Sequence, residues 1–149
     1  MQKEFTAQAE KVLSGAKKLA KKWKHPYVGT EHLLLALKKE FTGVASQVLA
    51  MNGVKESQIE KLIEELVVPL HDEEKKRIEL SPRLEFLLDN ALLEAERQHS
   101  AKIGTEHMLL AMLRDADCVA TRILATLNVE LEKVQDDLLE AVGINPKDY

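Results

Sequence analysis

The sequence predicts an all-α domain, two tandem four-helix repeats packed about a pseudo-two-fold axis. Three observations point there. The signature Gly29-Thr30-Glu31-His32 returns as Gly104-Thr105-Glu106-His107, and the 75-residue offset between them holds along the chain without a gap. Apolar residues recur at helical spacing instead of alternating. Aromatics make up only 4% of the chain, so Leu, Val, Ile and Ala must fill the interior, with Lys, Glu and Gln between them, which suits helices better than sheets.

The offset aligns more than the signature. Glu10, Leu13, Ala16 and Ala20 meet Glu85, Leu88, Ala91 and Ala95. Leu34-Leu35-Ala36 meets Leu109-Leu110-Ala111, Val44-Ala45 meets Val119-Ala120, Leu49-Ala50 meets Leu124-Ala125, and Val54 meets Val129.

In the first copy, Phe5, Ala9, Val12, Leu13, Ala16, Leu19, Ala20 and Trp23 share one helical face, and His25-Pro26 is expected to end that helix. A short second helix follows Thr30 to about Glu40. A third runs from Val44 to the stop at Asn52-Gly53, and a fourth carries Ile59, Leu62, Ile63 and Leu66 and ends before Pro69. The second copy opens with Ser81-Pro82, a capping hydroxyl followed by proline in the first turn. Its further helices start at Thr105, at about Asp117 and at about Glu130, the last running to Val142. This gives one domain over 1–149: repeat one 4–68, a charged linker 69–79, repeat two 80–143, and the start of an interdomain linker at 144–149.

The 149 residues are enough to bury a core, and 45% hydrophobic with 31% charged residues is ordinary for a globular protein. A net charge of −4 argues against general nucleic-acid binding. Cys118 is the only cysteine, which excludes an internal disulfide and makes a Cys-based zinc site implausible; in its apolar setting it reads as a small buried hydrophobe. The opening residues carry no apolar signal region, and no apolar run approaches membrane-spanning length, so a cytoplasmic protein is expected. No phosphate loop, H-E-x-x-H or G-x-S-x-G occurs, so the reading is a binding domain with no catalytic residues and no cofactor of its own.

The doubled Gly-Thr-Glu-His has a structural reading. Gly ends a loop, the Thr30 and Thr105 hydroxyls cap the helices that follow, Glu31 and Glu106 complement the helix dipole, and the histidines turn inward to a hydrogen bond. That reading leaves the glutamates least explained; their carboxylates are expected near the surface at equivalent places. Gathering Glu31, His32, Glu106 and His107 around a metal is unfavourable, because adjacent helical side chains point about a hundred degrees apart. Lys11, Lys17, Lys18, Lys21, Lys22 and Lys24 make the first helix basic, as a solvated face or as a dock for an acidic partner.

The stretches Gly29 to Leu37 (G-T-E-H-L-L-L-A-L) and Gly104 to Met112 (G-T-E-H-M-L-L-A-M), with F-T-x-x-A-x-x-V-L from Phe5 to Leu13, resemble the Clp N-terminal repeat domain. They look most like the form found in ClpC unfoldases; ClpB and ClpA domains look less similar. The resemblance covers nearly the whole chain. It implies a receptor module on a hexameric AAA+ unfoldase, binding substrates and adaptors such as MecA or McsB and feeding the ClpP peptidase. ATP and magnesium are then expected only in ATPase domains outside this chain, which reads as an excised, monomeric domain.

The resemblance also implies phosphoarginine recognition at two repeat-related sites. Glu31 and Glu106 match the acids that bind the guanidinium, and Thr30 and Thr105 beside them count among the ligand-binding residues the resemblance implies. Thr6 in the first copy, and Ser81 and Arg83 in the second, match the positions near the phosphoryl group, at helix starts where free N–H groups favour anions. The first copy departs from this pattern: neutral Gln8 stands opposite Arg83, and Glu4 lies nearby. Glu85 in the second copy and Glu10 in the first occupy another position where a basic residue would help. The second site is therefore expected to be the stronger of the two, with Glu106 as its test position. The alternative is a stand-alone helical adaptor with no ATPase, which the reading frame beyond Tyr149 would distinguish. A metal-dependent hydrolase ranks behind both.

Overall fold

The computed structural model describes residues 3–66 and 78–149, so the expected linker over 69–79 lies outside the described residues except for its last two positions. The described chain forms eight α-helices: α1 (Ala7–Lys22), α2 (Thr30–Lys39), α3 (Val44–Met51), α4 (Glu56–Leu66), α5 (Pro82–Arg97), α6 (Thr105–Arg114), α7 (Val119–Thr126) and α8 (Leu131–Ala141). Every helix of the second set begins and ends 75 residues after its counterpart. No helix among the described residues is long and apolar enough to cross a membrane.

α2 and α6 are the central elements. Leu33 to Leu37 and Met108 to Leu113 are buried without interruption, and a helix that is apolar on all sides must be wrapped by others. α1 and α5, by contrast, bury one stripe each: Ala9, Val12, Ala16 and Ala20 in α1, and Leu84, Leu87, Leu88, Ala91 and Ala95 in α5. All six lysines of the basic first helix and the turn after it are exposed.

α1 does not end at His25-Pro26. It stops at Lys22 because Lys24 takes a left-handed conformation (φ 56°), after which the His25 N–H donates to the Ala20 carbonyl at 2.9 Å. His99, the counterpart of Lys24, has the same φ with no proline nearby, and Ser100 donates to Ala95 at 2.9 Å. The left-handed residue is therefore the terminator in both repeats.

The repeats are stitched through each other's openings. Phe5 forms a parallel bridge with Ile103, and Leu80 with Val28. Thr6 N–H donates to Ile103 and Ile103 N–H to Glu4 (2.9 and 2.8 Å); Val28 N–H donates to Glu79 and Ser81 N–H to Val28 (3.0 and 2.8 Å). Each repeat thus begins against the loop that leads into the other's central helix. Beyond α8, a 3-10 turn over Pro146–Asp148 brings Tyr149 back onto α5 and α6.

Candidate functional site

Gly29 and Gly104 occupy the N-cap positions of α2 and α6 in extended conformation. Their φ values suit any residue, and the space a side chain would take there is held by the end of a neighbouring one. The carboxylates of Glu31 and Glu106 fold back over the glycines, and a β-carbon at either position would fall on the carboxylate oxygen. His32 Nδ1 accepts the Gly29 N–H at 2.9 Å, and His107 Nδ1 accepts the Gly104 N–H at 2.8 Å. These bonds leave the ring proton on Nε2. His32 Nε2 therefore donates to His25 Nδ1 at 2.6 Å, and His107 Nε2 to Gln98 Oε1 at 3.1 Å. Burial, reinforced by His25, lowers the His32 pKa to about 3, and burial also lowers those of His25 and His107.

The threonines correct the expectation. They are the first helical residues, not the caps of their own helices. The Thr30 hydroxyl accepts the Ala120 N–H at the start of α7 (3.1 Å), and the Thr105 hydroxyl accepts the Ala45 N–H at the start of α3 (3.4 Å). Each caps a helix of the opposite repeat. A β-carbon on Gly43, the N-cap of α3, would approach the Thr105 hydroxyl to 3.0 Å, so glycine makes room for this contact. Cys118 is the counterpart of Gly43. It is buried at the N-cap of α7, with its sulfur 3.1 Å from the Thr121 hydroxyl.

The glutamates differ from expectation and from each other. Glu31 is only 8% exposed, and burial raises its pKa while its own backbone N–H pulls the other way. Glu106 is less deeply covered, with 23% of its side chain accessible.

Glu31 lines a cavity of about 300 Å³ at the seam between the repeats. From the first repeat come Gly29, Thr30 and Glu31; Ser81, Arg83 and Asp117 come from the second. Ser81 caps α5, its hydroxyl accepting the Leu84 N–H at 3.1 Å. Thr6 does the same for α1, accepting the Ala9 N–H at 3.2 Å. Arg83 binds Asp115 through both guanidinium arms, Nε–Oδ2 being 2.7 Å, and this pairing raises the Arg83 pKa.

The acid of one repeat therefore lines one cavity with the hydroxyl and guanidinium of the other. Asp115 and Asp117 were not singled out from the sequence. Asp115 had a usable signal, because the offset aligns the pair Arg83 and Asp115 with Gln8 and Glu40. Among the described residues no group of three or more His, Cys, Asp or Glu side chains is placed to hold a metal ion.

Fold and site together define a helical double-repeat domain with a cavity at its internal seam, mostly apolar in lining and carrying a few charged and hydroxyl groups. The chain belongs to the Clp repeat (R) N-terminal domain family, which it matches over residues 4–124 and 79–149. It is 35% identical over 141 residues to the negative regulator of genetic competence ClpC/MecB of Bacillus subtilis, and 33% identical over 141 residues to the chaperone protein ClpB of Oceanobacillus iheyensis. Each match takes in 95% of this chain and 17% of the relative's length. Among solved structures, the Hsp104 N-terminal domain from Candida albicans superposes with a TM-score of 0.82 at 19% identity, covering 95% of this chain and 93% of that one. The ClpV N-domain in complex with a VipB peptide gives 0.74 at 22% identity, covering 96% and 89%. These two likenesses establish the fold.

Proposed function

We propose that this chain is the substrate- and adaptor-docking domain of a ClpC-like ATP-dependent unfoldase, and that its seam cavity reads phosphoarginine on client proteins. MecA- or McsB-like adaptors are the partners this reading assigns, with ClpP reached through the rest of the unfoldase and ATP handled there. The carrying observation is the composite cavity, which Glu31 of one repeat lines together with Ser81 and Arg83 of the other. A phosphoarginine side chain needs a carboxylate for its guanidinium and donors or positive charge for its phosphoryl group. Glu31 supplies the first. The Ser81 hydroxyl, the Arg83 guanidinium and the N-terminal turn of α5 supply the second. Arg83 must share its charge with Asp115, and Asp117 opposes an anion, so the site favours a zwitterionic ligand over a free phosphate.

Calorimetric titration with free phosphoarginine, with arginine and phosphoserine as controls, tests this reading. Saturable binding of phosphoarginine alone is expected. Glu31→Gln should weaken it by about tenfold or more, the loss typical of one charge-assisted contact. Glu106→Gln should weaken it less, because the positions equivalent to Ser81 and Arg83 are Thr6 and Gln8. The raised pKa of Glu31 adds a stability signature. The folded chain holds this proton above the usual carboxylate range, so stability falls as pH rises through that window. Glu31→Gln should therefore raise the melting temperature at pH 7 while weakening the ligand, an opposition that a mere helix-start residue would not show. No heat at millimolar phosphoarginine would remove mark reading and leave adaptor docking.

A further inference from the structure

The offset also relates two surface grooves. One, of about 360 Å³ between α1 and α2, is lined by Lys11, Lys18, Lys22 and Lys39 around Gly15, Leu19 and Ala36. The other, of about 660 Å³, is walled by Leu93, Glu94 and Arg97 of α5 and Arg114 of α6. Arg97 is the counterpart of Lys22, Arg114 of Lys39, and Glu94 of Leu19.

Two of the second groove's arginines already hold an aromatic ring beside it. Tyr149 lies between the guanidinium groups of Arg97 and Arg114, 4.8 and 5.4 Å from its ring centre. Its hydroxyl donates to the buried Glu94 and accepts from Gln98 Nε2 at 3.3 Å. Glu94 also pairs with Arg114 at 2.7 Å, so charge in this groove is compensated from within. In the first groove Leu19 replaces that carboxylate. Lys11, Lys18 and Lys22 form no ion pair with any described residue, and Lys39 reaches Glu56 and Glu60 at 3.3 and 3.4 Å. Glu40 stands at the rim, hydrogen-bonded to Thr42.

We propose that the α1–α2 groove docks an acidic peptide segment bearing an aromatic residue, its ring over Leu19 between Lys22 and Lys39 and its carboxylates on Lys11 and Lys18. Tyr149 shows at the equivalent place that two cations and a helix face hold a ring. Leucine stands where the second groove has Glu94, and three lysines that pair with no described residue steer acidic chains and reject basic ones. This groove shares no residue with the Glu31–Arg83 cavity, so either assignment survives failure of the other.

The test is fluorescence anisotropy of a labelled nine-residue peptide, eight glutamates around a central tyrosine, titrated with the full chain. Saturable binding is expected. It should fall about tenfold or more in Lys18→Glu/Lys22→Glu but less than about threefold in Lys21→Glu/Lys24→Glu, which makes the same charge change outside the groove. Gly15→Leu should also weaken binding with no change in charge, because only 3.7 Å separates a β-carbon there from Ala36 Cβ. Circular dichroism melts confirm that each variant folds. No binding, equal losses in the two charge variants, full binding to Gly15→Leu, or equal affinity for a tyrosine-free peptide would each overturn the proposal.

Discussion

The two repeats share a backbone and differ in what each does with its polar groups. Repeat one buries Glu31 to 8% exposure and backs His32 with a second histidine, His25, stacked on Trp23 at 5.7 Å between ring centres. Repeat two leaves Glu106 more open and backs His107 with Gln98, the counterpart of Trp23. Repeat one lines its groove with lysines, whereas repeat two lines the equivalent groove with Glu94, Arg97 and Arg114 and stacks Tyr149 on the two arginines. A duplicated scaffold of this kind can hold its helices in register by symmetry while its seam and grooves diverge, because packing constrains buried apolar positions far more than partly exposed polar ones.

The largest effects test whether the repeats are one folding unit. Leu34→Ala and Leu109→Ala empty equivalent, fully buried positions in the two central helices and should each cost about 3 kcal/mol. Denaturant melts should show one transition in both cases. Two transitions in either variant would mean that the cross-repeat bridges do not couple the halves.

Acid should separate the repeats next. Unfolded His32 takes a proton near pH 6.5, while the folded chain refuses it until about pH 3. The unfolded state thus binds more protons in between. Stability present at neutral pH is lost as pH falls through this window, by up to about 1.4 kcal/mol per pH unit for each such histidine. His32→Asn, which keeps an acceptor for Gly29, should flatten the loss more than His107→Asn, since the Glu106 charge offsets part of the burial effect at His107. Equal slopes in the two variants would remove this distinction.

The smallest effect concerns the cross-repeat caps. Thr30→Val and Thr105→Val leave the N–H groups of Ala120 and Ala45 without an acceptor, at about 1 kcal/mol each. The shorter Thr30 contact predicts the larger loss, measurable as a difference in chemical denaturation midpoint.

Much of this fold was legible because helical periodicity is a local property. The offset and the apolar stripes place all eight helices of the described residues. The Gly-Thr-Glu-His motif was legible as a helix start, but its division of labour was not. The sequence cannot show that Thr30 reaches a helix ninety positions away, because nothing local to Thr30 differs from an ordinary cap. Nor did it show that Glu31 would share a cavity with Ser81 and Arg83 rather than with the opening of its own repeat.

The sequence by itself determined the helical class and the duplication, since these follow from spacing and backbone preference within a few residues. The tertiary structure alone decided which polar groups became buried, which capped the opposite repeat, and which of two equivalent grooves compensated its charge from within. Those outcomes depend on how the symmetric halves interlock, and burial and charge compensation are set by neighbours that are distant in the chain.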